Sequence, residues 1–301
     1  MIVRVLGSAA GGGVPQWNCA CANCEAARAG LAPRRTESSL ALSVDGKRWL
    51  LLNCSPDIAA QIEAFAPLHP LQPRGTPITG MLFTDANVDH LGGLAVLRQH
   101  SSYGFRIWSS AAVRAIALAQ PAFAPFTRPP HRWNEAPLDS PCVAQDDDDI
   151  VGNQLTVRAI PVSGTTPGYD GRRALRGAVV AYEISERGAS RRLLFAPVIA
   201  AIDEALRGTI DRADLVLVDG TFYRDDELIA LNLADKSAQS LGHQPVGGSN
   251  GTLNQLQGIR ARTIFTHLNN SNPMVDPASG AHAHVRELGA EIAHDGMEIS
   301  L

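Results

Sequence analysis

The sequence has no excess of positive charge. Its 301 residues include 26 Lys and Arg against 30 Asp and Glu, which gives a formal net charge of -4 and an isoelectric point near 6.1. The basic residues are scattered in pairs such as Arg34-Arg35 and Arg172-Arg173 rather than grouped. A nucleic-acid partner needs a basic patch, because phosphate contacts supply much of its affinity. We therefore expect no nucleic-acid partner.

Long apolar segments are missing as well. No apolar run approaches the ~20 residues that a membrane-spanning helix needs. The N-terminal residues MIVRVLGSAAGGG lack the basic and then apolar regions of a secretory signal. These absences predict a cytoplasmic protein without a membrane partner. The sequence also has no low-complexity segment and no repeat of fixed period.

Cysteine is scarce and unevenly placed. Of the 5 cysteines, Cys19, Cys21 and Cys24 lie within six residues, in the stretch CACANC. This spacing is too tight for a disulfide framework in a chain of this size, whereas three thiolates on a short knuckle suit a tetrahedral Zn(II). The sequence predicts a structural zinc at these cysteines, with free buried thiols as the alternative. Cys54 and Cys142 stand in unrelated contexts and are expected to be packing residues.

What the sequence does contain is a regular order of strands. Hydrophobic residues make up 45% of the chain, which is enough for one large core in a single domain of residues 1–301. Strand-like segments such as IVRVLG, ITGMLFTDA and LTVRAIPVSG outnumber short helical ones such as DIAAQIEAF. This order favours an α/β fold of two face-to-face sheets with helices outside, in two pseudo-symmetric halves. We expect the seam near residues 140–153. There the charge run AQDDDDIVGN predicts a solvated turn, with a calcium site as the less favoured alternative.

Polar residues end three of the apolar segments. Asp89 and His90 follow ITGMLF, Asp219 ends LVLVD, and His267 follows TIFT. Side chains at strand ends share a common rim, so these four residues could face one another as a mononuclear site with two histidines and two carboxylates. That ligand set suits Fe(II), Mn(II) or Zn(II). A surface Asp-His pair alone is common, so the prediction depends on all three segments.

At these residues the chain resembles the metallo-β-lactamase superfamily, whose fold is an αββα four-layer sandwich with metal ions at strand ends. The superfamily motif His-x-His-x-Asp-His aligns with DANVDH, so Asp85 and Asn87 stand where the two leading histidines would be.

Two further ligands of the superfamily are also replaced. Ser163 in PVSGTT and Ala196 in LFAPV stand near their positions. The resemblance therefore implies that the first metal pocket is largely lost. A second pocket, formed by Asp89, His90 and His267, is retained.

Five further stretches resemble one branch of this superfamily, which acts in the biosynthesis of pyrroloquinoline quinone (PQQ). They are VLGSAAGGGVPQWNCACANC, NCSPDIAAQ, VDGTFYRDDELI, THLNNSNPM and the terminal DGMEISL, so the resemblance covers essentially the whole chain. It implies a structural Zn(II), one catalytic divalent metal with Fe(II) favoured, and a small-molecule or dipeptide PQQ precursor as partner. A monomer and a homodimer both stay open.

Two functions are attached to this branch. One is hydroxylation of the tyrosine ring of a glutamate–tyrosine precursor with Fe(II) and O₂. The other is carriage of PQQ or its precursor toward the periplasm. The sequence favours hydroxylation, since no segment has the pattern of a membrane-spanning or membrane-binding helix. A degenerate metallo-hydrolase is a third alternative, which the lost first pocket disfavours.

Other branches of the superfamily imply roles for three residues. In the tRNA-processing branch, a carboxylate at the position of Asp219 pairs with a later histidine, here His243. His243 would then transfer a proton or bind substrate, with a helix-capping role as the alternative. In the phosphodiesterase branch, the fourth ligand of the structural zinc follows the last catalytic histidine by three residues, which here is Asn270.

Overall fold

The structure, a computed structural model, describes residues 1–99, 104–142 and 154–301. Within these ranges the strands form two seven-stranded sheets. The strands of the first sheet, in spatial order, are β14 (Glu298–Ser300), β1 (Ile2–Gly7), β2 (Ser39–Ser43), β3 (Trp49–Leu52), β4 (Ile78–Leu82), β5 (Arg106–Ser109) and β6 (Arg132–Glu135). Those of the second sheet are β13 (Glu291–Ile292), β12 (Arg262–Thr266), β11 (Leu215–Asp219), β10 (Arg192–Ala196), β9 (Val180–Glu186), β8 (Leu155–Pro161) and β7 (Pro141–Cys142).

Short helices lie outside the two sheets. They are α1 (Ala22–Arg28), α2 (Ile58–Glu63), α3 (Val88–Leu91), α4 (Gly93–Val96), α5 (Ala111–Leu118), α6 (Glu204–Ile210), α7 (Glu227–Ala230), α8 (Thr252–Gln255) and α9 (Gly280–Glu287). In the described part of the chain, none of the helices is both long and apolar enough to cross a membrane.

The sheets share one core because their strands are apolar on both faces. Inward-facing side chains such as Leu50, Leu52 and Leu217 are fully buried between the sheets. Outward-facing side chains alternate with them along each strand, and Leu51 and Val216 are buried under the helices. Strands buried on both faces carry nearly continuous apolar runs, which is the pattern of the sequence. The predicted αββα sandwich is confirmed.

Both ends of the chain complete the first sheet. β2 and β3 form an antiparallel hairpin, in which Asp45 Oδ1 accepts hydrogen bonds of 2.8 Å from the backbone N–H groups of Lys47 and Arg48. The C-terminal strand β14 pairs with β1, so that Val3 lies opposite Ile299. The predicted seam falls largely on residues 143–153, which lie outside the described residues.

Parallel pairing decides where the polar residues meet. β10, β11 and β12 are parallel neighbours in the second sheet, as are β3 and β4 in the first. Parallel strands bring their carboxyl ends to one edge of a sheet, which is where binding residues commonly lie. Asp219 is the last residue of β11 and His267 follows β12 directly, as the sequence predicts.

Candidate metal centre and active site

Asp89 and His90 lie on a short helix, so their expected place at a strand end is wrong. β4 ends at Leu82, and the pair belongs to α3. The intervening loop folds around Asp85, whose Oδ1 accepts hydrogen bonds from the backbone N–H of Asn87 at 2.9 Å and from its side-chain amide at 2.7 Å. This local turn, typical of aspartate, fixes the start of α3.

The ring of His90 is held by one nitrogen and leaves the other unpaired. Its Nδ1 lies 2.5 Å from Asp85 Oδ2, and both side chains are fully buried. Because a carboxylate only accepts, Nδ1 carries a hydrogen, and in the neutral ring the lone pair is on Nε2. Within the described residues this buried Nε2 has no hydrogen-bond partner, although Asp89 Oδ2 is 3.6 Å away. A histidine oriented by a carboxylate, with its second nitrogen unpaired, is the arrangement of a metal ligand.

His267 is oriented in the same way through a hydroxyl group. Its Nδ1 lies 2.8 Å from Thr221 Oγ1, which lies 2.6 Å from Asp219 Oδ1. Since the carboxylate takes the hydroxyl hydrogen, Thr221 accepts from His267 Nδ1 and the lone pair of His267 is on Nε2. That Nε2 lies 3.3 Å from Asp89 Oδ2. The nitrogens that face Asp89 from both histidines are thus free to bind a cation.

Asp219 is fully engaged in hydrogen bonds. Its Oδ1 accepts from the backbone N–H and the hydroxyl of Thr221, and its Oδ2 accepts from the backbone N–H of Ile199 at 2.9 Å and from His243 Nδ1 at 2.7 Å. The four expected ligands therefore do not converge on one point. They fall into two groups that share His267, and the second group also includes His243. Asp89 and His90 belong to one group, and Asp219 and His243 belong to the other.

His243 enters the site from a distant segment. Its ring bonds to Asp219 and stacks on the ring of His267, with the centroids 5.6 Å apart. It also lines a cavity whose other walls include Asp89, His90 and His267. Because Nδ1 donates to Asp219, the other ring nitrogen is an acceptor when the ring is neutral. The side chain thus bonds within the site and not to a helix end.

The buried charges of the centre shift one another's pKa. Burial disfavours the cation on His90, but the carboxylates of Asp85 and Asp89 outweigh burial and raise its pKa to about 9. Burial disfavours the Asp89 anion, but His90 and His267 hold the pKa of that carboxyl well below its usual range. Burial lowers the pKa of His267. A divalent cation would replace the proton on His90, since metal ligands must be deprotonated.

The three cysteines of the knuckle surround the side chain of Asn270, the residue to which the resemblance to the phosphodiesterase branch points. The Sγ atoms of Cys19, Cys21 and Cys24 lie within 4.8 Å of one another. The side-chain amide of Asn270 lies 3.1, 3.5 and 3.4 Å from these three sulfurs in turn. A 180° rotation of that amide would present its oxygen in the same place. Three converging thiols and one amide fit a Zn(II) with bonds of about 2.3 Å to sulfur.

Sequence reasoning missed the residues that orient the histidines. Asp85, which the superfamily motif places at the position of a lost ligand, is the hydrogen-bond partner of His90. Thr221 was not singled out, although it connects Asp219 to His267. Their position in the sequence could have identified them, since each is a polar residue within a few residues of a predicted ligand.

Known proteins resemble this chain over its whole length. Residues 48–268 match the model of the β-lactamase superfamily domain. Coenzyme PQQ synthesis protein B of Pseudomonas paraeruginosa is 38% identical, with 100% of both chains covered. The protein of the same name from Cupriavidus necator is 40% identical, with 99% of both chains covered. The crystal structure of Zn(2+)-bound PqqB from Methylobacterium extorquens superposes with a TM-score of 0.92 at 34% identity and covers 100% of both chains.

Proposed function

Because this chain belongs to the coenzyme PQQ synthesis protein B family of the β-lactamase superfamily, we propose that it hydroxylates the tyrosine ring of the glutamate–tyrosine precursor of PQQ with Fe(II) and O₂. One oxygen atom of O₂ becomes the new ring hydroxyl and the other leaves as water. The balance requires two electrons and two protons, which we assign to a small-molecule reductant of the ascorbate type.

The unpaired Nε2 of His90 is the observation that carries this proposal. It is buried beside Asp89 Oδ2, which is also 3.3 Å from His267 Nε2. Two histidines and one carboxylate with further positions open are the donor set of non-haem Fe(II) oxygenases. An Fe(II) held by these residues would supply O₂ activation.

Asp219 and His243 would serve the substrate rather than the metal. Four hydrogen bonds from protein groups occupy both carboxylate oxygens of Asp219, which favours a positioning role. His243, fixed by Asp219, has an acceptor nitrogen and lines the cavity. A phenol entering the cavity could donate its proton to this nitrogen, which would make the ring more electron-rich and more easily oxidised.

Hydrolysis by a pair of metal ions is less well supported. Asp85 is committed to His90 and Asn87, and Ala196 has no donor atom in its side chain. A second metal ion would lack the ligands that hydrolytic relatives of the superfamily provide. The same donor set could bind a precursor without converting it, so the experiment must distinguish binding from oxidation.

The test is a single turnover with labelled oxygen. The protein is loaded with Fe(II) without oxygen, mixed with the glutamate–tyrosine dipeptide and ascorbate, and exposed to isotopically labelled O₂. We expect one labelled oxygen atom on the ring by mass spectrometry. The Zn(II)-loaded protein is the matched control and should give no product, because Zn(II) has no redox chemistry. Tight binding without oxygen incorporation would support carriage instead, and cleavage of the dipeptide would support a hydrolase.

A further inference from the structure

A surface loop brings one arginine to the mouth of the metal cavity. The cavity has a volume of about 200 Å³ and opens to solvent at its mouth. Among the described residues that line it, Arg172 is the one lysine or arginine. Thr165 and Thr166 of the same loop also line the cavity. The loop therefore contributes a cation and polar groups to the cavity wall, and it is separate in sequence from the segments that carry the metal ligands.

Hydrogen bonds within the loop fix the backbone that carries Arg172. The backbone N–H of Thr166 donates to Arg173 O at 2.9 Å, and the N–H of Arg173 donates to the hydroxyl of Thr166 at 2.9 Å. The hydroxyl of Tyr169 donates to the carbonyl oxygen of Ala86, which ties the loop to the segment before Asp89. The backbone of Arg172 is thus fixed beside the cavity that Asp89 and His90 also line.

The backbone at Arg172 is in a region that non-glycine residues seldom adopt. Its φ is 51°, directly after Gly171 at 83°. A left-handed conformation costs an ordinary residue about 1 kcal/mol or more, and such residues are common at ligand sites. The loop therefore keeps an arginine where a glycine would be less strained.

The neighbouring arginines form ion pairs within the protein. Arg173 forms an ion pair of 2.7 Å with Asp170, and Arg176 forms one of 2.6 Å with Asp139. Over residues 1–99, 104–142 and 154–301, the exposed guanidinium of Arg172 has neither an ion pair nor a side-chain hydrogen bond. It is thus available to an anion that enters the cavity.

We infer that Arg172 binds a carboxylate of the substrate and so selects for acidic amino-acid derivatives. This inference rests on the proposed function, because the glutamate–tyrosine precursor carries two carboxylates beside the ring to be hydroxylated. A guanidinium suits a carboxylate well, since its fork of donors can form two parallel hydrogen bonds. Held at the cavity mouth, this contact would leave the tyrosine ring to enter toward His243.

The experiment is equilibrium binding of the dipeptide to the metal-loaded protein without oxygen, by calorimetry. Arg172→Gln should raise the dissociation constant roughly tenfold, between the value of an exposed ion pair and that of a charge-assisted hydrogen bond. Arg172→Lys should lose less affinity, because it keeps the charge but not the fork. Arg176→Gln is the matched control and should bind as the parent does, since its ion pair lies outside the cavity lining.

Two neutralised probes identify the carboxylate that is bound. One is glutamine–tyrosine, and the other is the dipeptide amidated at its C-terminus. The probe that lacks the bound carboxylate should bind the parent weakly, and Arg172→Gln should then cause no further loss. Equal binding of the acidic dipeptide to the parent and to Arg172→Gln would overturn this inference alone. Binding that depends on Arg172, with no hydroxylation under Fe(II) and O₂, would overturn the proposed function and leave the inference standing. No binding to the parent would overturn both.

Discussion

At the scale of residues, the site depends on side chains that form hydrogen bonds with the candidate metal ligands. Asp85 fixes His90, and Thr221 fixes His267. In each case the hydrogen bond at Nδ1 leaves Nε2 free to face Asp89. The sequence predicts the ligands because their chemistry is unusual at the end of an apolar segment. It does not predict the partners, because aspartate and threonine are common in loops and only their contacts distinguish them.

Asp85 is therefore expected to matter more than a lost ligand would. Asp85→Asn keeps the shape of the side chain but removes the charge that faces His90. We expect the affinity of the centre for Fe(II) or Co(II) to fall roughly tenfold to a hundredfold, the usual effect of losing such a partner. Metal titration measures this, and the zinc bound to the cysteine knuckle should be retained as an internal control. An unchanged affinity would mean that His90 is held without Asp85.

Thr221 offers a matched pair of substitutions. Thr221→Val preserves the buried volume but removes the hydroxyl between Asp219 and His267, so the tautomer of His267 is no longer fixed. We expect this variant to lose metal affinity and Thr221→Ser to stay close to the parent. Metal titration of both variants gives the comparison. Equal affinities in the two variants would show that the hydroxyl does not orient His267.

At the scale of elements, the cysteine knuckle supports the segment that carries His267. The side-chain amide of Asn23, within α1, donates to the carbonyl oxygens of Asn270 and Asn272, both at 2.9 Å. Asn270 itself contacts the three cysteine sulfurs. The cysteine knuckle and the candidate metal centre are therefore linked through one loop, in which Asn270 follows His267 by three residues.

Loss of the zinc should affect both the cysteine knuckle and the second metal centre. Cys21→Ser should remove one zinc equivalent and lower the free energy of unfolding by several kcal/mol, because binding of a structural zinc is folding free energy. It should also weaken binding at the second metal centre, since the His267 loop loses its support. Elemental analysis and thermal unfolding measure these effects.

The buried Cys54 provides the control for this experiment. It lies outside the knuckle, so Cys54→Ser makes the same chemical change without touching the zinc ligands. Zinc content should stay at the parent value in that variant. If Cys21→Ser kept its full zinc content, the assignment of the knuckle would be wrong.

The elements also show where sequence patterns are insufficient. The segment GGLAVLRQHS predicts one helix, but the structure has only α4 and a 3₁₀ turn at Leu97–Gln99, with His100 outside the described residues. Gly93 packs against the backbone of Ser55, so closely that a side-chain carbon there would lie 2.3 Å from its carbonyl oxygen. This tertiary contact lies between α3 and α4 and fixes the backbone where α4 begins, a constraint that the local pattern does not record.

At the scale of the whole molecule, the sandwich gathers residues that are far apart in sequence. His267 lies 178 residues from Asp89, and His243 lies 24 residues from Asp219. Apolar runs on both faces of the strands make the sandwich predictable. The location of His243 and Arg172 depends on loops, whose paths are set by hydrogen bonds that no periodic pattern records. For His243 the resemblance to relatives supplied the prediction, and for Arg172 nothing did.

We propose that Asp89, His90 and His267 hold a metal at which the substrate is oxidised while His243 accepts a proton from the substrate. His243→Ala tests this. His284→Ala is the matched control, because His284 forms a hydrogen bond with Tyr223 and neither residue lines the cavity. The measurement is single-turnover hydroxylation under O₂ beside dipeptide binding without oxygen. We predict that His243→Ala retains its Fe(II) and turns over roughly 10²–10⁴-fold more slowly, the usual contribution of a positioned acid or base. Normal turnover with weakened binding, or no turnover by the Fe(II)-loaded parent, would contradict the account.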